Sequence, residues 1–296
     1  MSGVKSDTLL TEEKYMFKKT MAVIMTAALM LGLAACGSKG EVKEEFGEQP
    51  EEMALETVAA VEDLKAIQEK GKLVVGITDF EPMDYKDESG KWIGFDADMA
   101  NAFAKSLGVE AEFVEIEWDN KALELSSGNI DCVWNGMTLT DEVMNAMDCS
   151  NPYCNNAQIV IVPSDKADQY QTVESLKDLN FAVEVGSAGE QEAQANGLKY
   201  TSVQNQANAL MEVAAGTSDA AIIDSLMAAA MVGEGTSYDK LTYTVGLNSE
   251  EYGVGFRKGS DLTDKLDEFF KSSYADGSMQ KIAETYGVQA ALIEQK

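Results

Sequence analysis

Histidine, a side chain widely used for proton transfer and metal binding near neutral pH, does not occur in this chain. Without it, Ser–His and Cys–His nucleophile pairs cannot form, and zinc loses its usual nitrogen ligand. We therefore expect no imidazole-dependent catalytic pair and no metal.

Acidic side chains far outnumber basic ones, and the formal net charge is −28. This charge repels the phosphates of nucleic acids and the head groups of anionic lipids. We expect no nucleic-acid partner and a monomeric protein. Residues 58–296 are long enough for two modest domains.

Residues 16–38 read MFKKTMAVIMTAALMLGLAACGS. Lys18 and Lys19 precede an apolar run that is too short to span a bilayer comfortably. The run ends in LAAC, which resembles the lipobox of bacterial lipoproteins, in which the cysteine becomes the lipidated first residue. We predict a signal peptide over residues 1–35 and lipidation at Cys36. A buried or membrane-spanning helix is the alternative, and Met16 is a second possible start.

Glycine, glutamate and lysine dominate the residues after Cys36, so residues 36–58 are predicted to be an acidic, disordered tether. Three further cysteines follow at positions 132, 149 and 154. Cys149 and Cys154 could form a disulfide in an oxidising exterior, but free, buried thiols are the interpretation we favour.

From residue 58 onward, strand-like and helix-like segments alternate, which predicts an α/β architecture. Residues 72–78 (KLVVGIT) are a typical short buried strand. Met99, Phe103 and Leu107 share one face of a helix that ends at Gly108. Residues 172–180 (TVESLKDLN) are predicted to be a helix that Thr172 caps.

The segments GKLVVGITDFEPMDY, GKWIGFDADMANAFAKSLG, IDCVWNGMTLTDE, VEVGSAGE and EYGVGFRKG occur in one characteristic order and spacing. In this respect the chain resembles the family 3 extracellular solute-binding proteins, the polar amino-acid receptors of ABC importers. The resemblance covers essentially all of residues 60–290.

The resemblance implies an α/β, two-lobed, periplasmic-binding-protein-like (type II) fold with a ligand cleft between the lobes. Residues 59–158 and 248–296 would form lobe 1, and residues 159–247 would form lobe 2. A lipid-anchored receptor on the outer face of a membrane, as in Gram-positive bacteria, would close on its ligand by a hinge motion. It would then deliver the ligand to a permease and ATPase complex. The resemblance therefore implies a binding protein with no catalytic residue and no cofactor.

The resemblance also implies which lobe 1 residues contact ligand. They follow three strands: Asp79 and Phe80, then Trp118, then Asn135, Gly136 and Thr138. Packing in the lobe 1 core is the alternative for Phe80, and packing at the start of a helix is the alternative for Trp118. Trp134 is predicted to lie in the core, because neighbouring side chains on a strand point in opposite directions.

In lobe 2, the resemblance places the ligand carboxylate on the backbone N–H groups of Ser187 and Ala188, at a helix N-terminus. Glu184 lies two residues before Gly186 on the same strand. Asp224 matches the acceptor of the ligand ammonium group, and the alternative is that it caps the following helix.

Members of the family usually have arginine where this chain has Val143, and that arginine holds the ligand carboxylate. Arg257 cannot replace it, because it falls at a position that is usually on the surface. Either lysine and helix N-termini compensate, or the ligand is not held by a carboxylate in the usual way. Because Asp79, Glu184 and Asp224 would make the cleft acidic, we expect a ligand that bears positive charge, either an unusual amino acid or an amine-rich compound. Alternatively, Val143 is an apolar filler.

Other functions are compatible with the resemblance. A ligand sensor for a signalling receptor would use the same closure. A dehydratase-like enzyme on this fold would need a carboxylate in the cleft, and Glu184 is the one candidate. A surface protein without a small ligand would not need the cleft motifs.

Overall fold

The computed structural model describes residues 62–296. The predicted signal peptide, Cys36 and the predicted tether lie outside the described residues. In the described part of the chain, no helix is both long enough and apolar enough to span a membrane.

The first β-sheet is mixed. Its strands are β1 (Lys72–Ile77), β4 (Glu110–Glu115), β5 (Cys132–Thr138), β6 (Asp148–Cys149), β7 (Cys154–Asn156) and β13 (Glu250–Phe256). They follow the order β4-β1-β5-β13-β6, and β7 also pairs with β13. β1 pairs with β4 and β5 in parallel, whereas β13 runs antiparallel to β5.

Helices from both ends of the described chain cover this sheet. They are α1 (Asp63–Lys70), α2 (Phe95–Ser106), α3 (Lys121–Ser126), α4 (Asp141–Ala146), α8 (Leu262–Ala275) and α9 (Ser278–Tyr286). A short hairpin, β2 (Tyr85–Lys86) with β3 (Trp92–Ile93), precedes α2. The core contains Trp134, which packs edge-on against Phe270 at a centroid distance of 5.6 Å. The prediction that Trp134 is a core residue is confirmed.

The second sheet consists of β8 (Gln158–Pro163), β9 (Asn180–Glu184), β10 (Lys199–Val203), β11 (Ala220–Asp224) and β12 (Leu241–Gly246). Its strands follow the order β10-β9-β11-β8-β12. β9 pairs in parallel with β10 and β11, whereas β8 is antiparallel to β11 and β12. Its helices are α5 (Ala188–Ala195), α6 (Gln206–Ala215) and α7 (Ser225–Met231).

The chain crosses between the sheets twice, from β7 to β8 and from β12 to β13. The two crossing segments lie side by side. The backbone N–H of Gln158 donates to Oδ1 of Asn248 at 2.7 Å, and the N–H of Leu247 donates to the carbonyl of Gln158 at 2.8 Å. The carboxyl ends of β1 and β5 in the first sheet and of β9 and β11 in the second line one crevice.

The prediction of a helix over residues 172–180 is wrong in length. Only a 3₁₀ turn, Val173–Leu176, forms there. Thr172 caps it as expected, accepting from the N–H of Ser175 at 3.4 Å. The hydroxyl of Ser175 also donates to the carbonyl of Thr172 at 2.6 Å, so local side-chain bonds satisfy the backbone in place of further helical turns.

The three cysteines of the described chain are free thiols: Cys132 and Cys154 are buried, and Cys149 is half-buried. The favoured interpretation of free thiols therefore agrees with the structure, although Cys149 is less buried than expected.

Arg257 is half-buried, which corrects the expectation of a surface position. Its Nη2 lies 2.8 Å from Oδ1 of Asp63, and its Nη1 donates to the carbonyl of Ile130 at 2.8 Å. Lys70 bonds to Asp131 at 2.6 Å, and Arg257 also approaches that carboxylate. The single arginine thus ties α1 to the strands of the first sheet.

We predict that Arg257→Lys lowers the free energy of unfolding by about 1–3 kcal/mol, because one ammonium group cannot replace the planar set of donors. Urea denaturation measures this change. Lys72→Gln is the control: Lys72 and Glu112 form an exposed pair, with 43% and 49% of their side chains accessible. Its loss should be below about 1 kcal/mol. Equal losses in both variants would contradict the proposed role of Arg257.

Candidate ligand-binding site

A cavity of about 240 Å³ lies in the crevice between the two sheets. Its lining comes from strand ends and helix starts of both lobes. The cavity is lined by all ten residues that the sequence predicted to contact ligand: Asp79, Phe80, Trp118, Asn135, Gly136, Thr138, Glu184, Ser187, Ala188 and Asp224. That these residues bind a ligand stays a prediction.

The side chain of Asn135 is already fully engaged within lobe 1. Its Oδ1 accepts from the N–H and the hydroxyl of Thr78, at 3.0 and 2.7 Å. Its Nδ2 donates to the carbonyl of Thr78 at 3.1 Å and to Oδ2 of Asp84 at 2.8 Å. Asn135 therefore joins the ends of β1 and β5 and positions the wall of the cavity.

Gly136 allows the ring of Phe80 to pack against the backbone of β5. Its φ is 53°, and a Cβ atom at this position would lie 2.4 Å from Cε1 of Phe80. The N–H of Gly136 donates to Oδ2 of Asp96 at 2.6 Å, so it is not available to a ligand. Phe80 is buried and contacts Tyr252 edge-on, so it is both a core residue and part of the cavity wall.

Trp118 also combines the two predicted roles. It begins a 3₁₀ turn, Trp118–Asn120, and packs in an apolar cluster with Val143, Met137 and Met147. Its ring also lies 4.8 Å from Nζ of Lys121, within the range of a cation–π contact.

Val143 lies in the first turn of α4, where its N–H donates to the capping hydroxyl of Thr140 at 3.2 Å. The side chain is buried in the apolar cluster and forms part of the cavity wall. This placement agrees with the interpretation of Val143 as an apolar filler.

The start of α5 offers fewer free donors than the sequence suggested. The N–H of Ser187 points to the carbonyl of Glu184 at 3.3 Å, and the N–H of Gly186 donates to Oε2 of Glu190 at 2.8 Å. The hydroxyl of Ser187 caps the helix by accepting from the N–H of Glu190 at 3.1 Å. Among the described residues, the N–H of Ala188 has no acceptor. Of the two predicted carboxylate donors, only Ala188 is thus open.

Asp224 does not cap α7 with its side chain, so that alternative is wrong. Its carboxyl group instead accepts from three side-chain amides. Gln158 donates at 2.6 Å, and Asn156 and Gln206 make the other two bonds. Asp224 is buried at the floor of the cavity, beside both crossing segments.

Glu250, at the start of β13, shares these amides. Its Oε1 accepts from Gln158 at 2.8 Å and from Asn156 at 2.6 Å. The hydroxyl of Thr138 donates to the same oxygen at 2.8 Å. The predicted ligand residue Thr138 thereby links the end of β5 to the second crossing segment.

Two acidic groups of the cavity hold protons near neutral pH in the ligand-free protein. Burial and the nearby charge of Asp224 raise the pKa of Glu184 to about 8. Burial and the charge of Glu250 raise the pKa of Asp224 to about 8. Burial and the charge of Glu115 raise the pKa of Asp79.

The charged residues that line the cavity are mostly acidic: six are acidic, and Lys121 is the one cation. The acidic residues are Asp79, Asp119, Glu142, Glu184, Glu190 and Asp224. Sequence reasoning missed Lys121, Gln158 and Gln206. A lysine at the start of a short helix and isolated glutamines carry no pattern that separates them from solvated residues.

Within residues 62–296, no group of three or more cysteine or acidic side chains is placed to hold a metal ion.

Comparison with known proteins agrees with this architecture. Residues 73–289 match the model of the bacterial extracellular solute-binding proteins, family 3. The chain belongs to this family.

Two curated relatives of this solute-binding protein come from Bacillus subtilis (strain 168). The arginine-binding extracellular protein ArtP is 29% identical over 274 residues, covering 90% of this chain and 96% of ArtP. The ABC transporter glutamine-binding protein GlnH is 31% identical over 272 residues, covering 89% of this chain and 94% of GlnH.

A solved structure is similar as well. The ancestral amino-acid-binding protein AncCDT-1, described as a precursor of cyclohexadienyl dehydratase, superposes with a TM-score of 0.70 at 35% identity. The match covers 76% of this chain and 99% of that protein. The predicted family, the two-lobed α/β fold and the prediction of a binding protein, not an enzyme, are confirmed.

Two further carboxyl groups lie behind the cavity wall of this solute-binding protein. Asp84 and Asp96 are completely buried. Oδ2 of Asp96 accepts from the hydroxyl of Tyr153 at 2.7 Å, in addition to the N–H of Gly136. Burial raises the pKa of Asp96 to about 7, and burial together with the charge of Asp96 raises the pKa of Asp84.

We predict that the ligand-free protein loses stability as the pH rises from about 5 to 8.5. Asp84, Asp96, Glu184 and Asp224 have raised pKa values in the folded state. The folded state therefore binds more protons than the unfolded state between these pH values. Each such proton lowers the free energy of unfolding by up to about 1.4 kcal/mol per pH unit.

Urea denaturation at several pH values measures this slope. Asp96→Asn should flatten it, because this side chain no longer takes up a proton on folding. Glu69→Gln, at an exposed site of α1, is the control and should leave the slope unchanged. Stability that stays constant or increases over this pH range would show that these carboxyl groups are ionised in the folded protein.

Proposed function

We propose that this solute-binding protein is the amino-acid-binding component of an ABC importer, and that its ligand carries net positive charge. The observation that carries the proposal is the lining of the cavity, with six acidic residues and one lysine. A cationic ligand favours the ionised form of these carboxyl groups, including the two that hold protons in the empty site, whereas the groups that are already ionised repel an anion. The names of two relatives, which are arginine- and glutamine-binding proteins, support an amino acid as ligand.

Asp224 and Glu184 are the acceptors that we propose for the ammonium groups of the ligand. Asp224 is held in place by amides on three different elements. Oε1 of Glu184 has no hydrogen-bond partner among the described residues. A ligand ammonium group would supply the missing donor, and a hydrogen bond to a charged group contributes about 1.5–3 kcal/mol.

We further propose that the protein captures its ligand by closing the two lobes about the crossing segments. Contacts that already reach across the cleft support this. Nε2 of Gln191 lies 3.3 Å from Oε2 of Glu142, and Nε2 of Gln204 lies 2.9 Å from Oε1 of Glu117. A ligand that touches both lobes stabilises the closed form relative to the open one.

Binding of amino acids to the purified protein tests the proposal. At neutral pH we expect L-arginine and L-lysine to raise the melting temperature more than L-glutamine and L-histidine, whose side chains are mostly uncharged, and L-glutamate to have no effect. A ligand at about 100 times its dissociation constant adds about 2.7 kcal/mol to the free energy of unfolding. Calorimetry then gives the dissociation constants. Tightest binding of L-glutamate, or binding only of sugars or peptides, would overturn the proposal.

The variant Asp224→Asn should weaken binding of every α-amino acid that the wild type binds, by about 10- to 100-fold. Asp239→Asn is the matched control, because Asp239 is an exposed residue of the same lobe outside the cavity. Equal affinities for wild type and Asp224→Asn would exclude Asp224 as the ammonium acceptor.

We also propose that the mature protein begins at Cys36 and that its lipid anchors the receptor to the outer face of the cell membrane. The sequence LAAC and the acidic residues 36–58 support this anchor and tether. In cells, Cys36→Ser should abolish incorporation of labelled fatty acid and release the protein from the membrane fraction. Unchanged labelling of that variant would disprove the anchor at this position.

A further inference from the structure

Lys121 is the single basic residue in the lining of the cavity. Its half-buried side chain lies at the start of α3. Among residues 62–296 it forms no ion pair. Burial lowers its pKa, although Glu142, Glu184 and Asp119 act in the opposite direction. An ammonium group that is partly withdrawn from water and has no ion-pair partner is suited to the anionic end of a ligand.

The present bonds of Lys121 leave room for a further acceptor. Its Nζ donates to the carbonyl of Trp118 at 3.2 Å and to the carbonyl of Gly186 at 2.9 Å. Trp118 belongs to lobe 1 and Gly186 to lobe 2, so the ammonium group contacts both lobes at the cleft. An ammonium group has three donors, and these two carbonyls use two of them.

The cavity contains both a cation and buried carboxyl groups. Lys121 lies at the start of α3, and Asp224 lies at the floor, where Gln158 of the first crossing segment donates to it at 2.6 Å. Glu184 interacts electrostatically with both residues. A cation and carboxyl groups in one cavity complement a zwitterion, whose two charged groups are a few ångströms apart.

We propose that Lys121 binds the carboxylate of an amino-acid ligand and thereby selects amino acids over the corresponding amines. This inference rests on the proposed function and assigns the anionic end of the same site. The other charged residues of the lining are all acidic and would repel a carboxylate. α4 presents Val143, and Arg257 is engaged by Asp63 outside the cavity.

Lys121 also holds the two lobes together, and a variant could weaken binding for that reason alone. The test therefore compares each amino acid with the amine that lacks its carboxylate. The probes are L-arginine with agmatine, L-lysine with cadaverine, and L-histidine with histamine. Loss of an inter-lobe contact weakens both members of a pair equally, whereas loss of a carboxylate contact weakens only the amino acid.

Calorimetry on wild type, Lys121→Met and Lys121→Arg gives the affinity ratios. In the wild type we expect each amino acid that binds to bind at least about 10-fold more tightly than its amine. Lys121→Met should weaken binding of the amino acid about 10- to 100-fold and of the amine much less, so that the preference disappears. Lys121→Arg should keep most of the preference. Lys105→Met, at an exposed site of α2, is the control and should change neither affinity.

An unchanged preference in Lys121→Met overturns the inference and leaves the proposed function intact. An equal loss for both members of each pair shows that Lys121 acts only as an inter-lobe contact, which also overturns it. The inference is also overturned if the wild type binds the amines as tightly as the amino acids. If the wild type binds none of the six probes, the proposed function fails, and the inference fails with it. Should Lys121→Met not fold, Lys121→Gln replaces it.

Discussion

The carboxyl group of Asp224 can remain buried at the floor of the cleft only because side-chain amides surround it. An isolated buried carboxylate would cost far more than a domain can tolerate, whereas hydrogen-bonded and protonated forms are accommodated. Asn156 and Gln158 of the first crossing segment donate to Asp224 and also to Glu250 of the second. The same few side chains therefore determine both the charge of the site and the connection between the lobes.

This arrangement explains how an acidic cavity persists without a ligand. Because the pKa values of Glu184 and Asp224 are raised to about 8, protons neutralise these groups at neutral pH. A cationic ligand lowers the pKa of each carboxyl group that it contacts, so binding displaces protons into solvent. The positive charge of the ligand thus takes the place of the protons that the empty site holds. The site therefore does not need to contain an unpaired buried carboxylate before the ligand binds.

Much of the site could be inferred from sequence through the resemblance to the family, which pointed to Asp79, Gly136, Glu184 and Asp224. The fold explains why these residues meet, because the carboxyl ends of parallel strands lie at one edge of a sheet. The contacts of individual side chains in the cavity were harder to predict. The hydrogen bonds of Asn135 and of the N–H of Gly136 depend on buried partners far along the chain. Lys121 contacts the carbonyl of Gly186, which lies in the other lobe and 65 positions away in sequence.

Val143 in α4 and Lys121 in α3 differ in whether their contacts involve the second lobe. Val143 packs with Trp118 and Met147 inside lobe 1, so this part of the cavity wall does not depend on lobe 2. Lys121 instead shares its ammonium group between carbonyls of both lobes. In the proposed closure, the ammonium group of Lys121 would have both carbonyls as acceptors only while the lobes are together. An anion bound at Lys121 would therefore favour closure directly, because the ligand, lobe 1 and lobe 2 would then share one charged group.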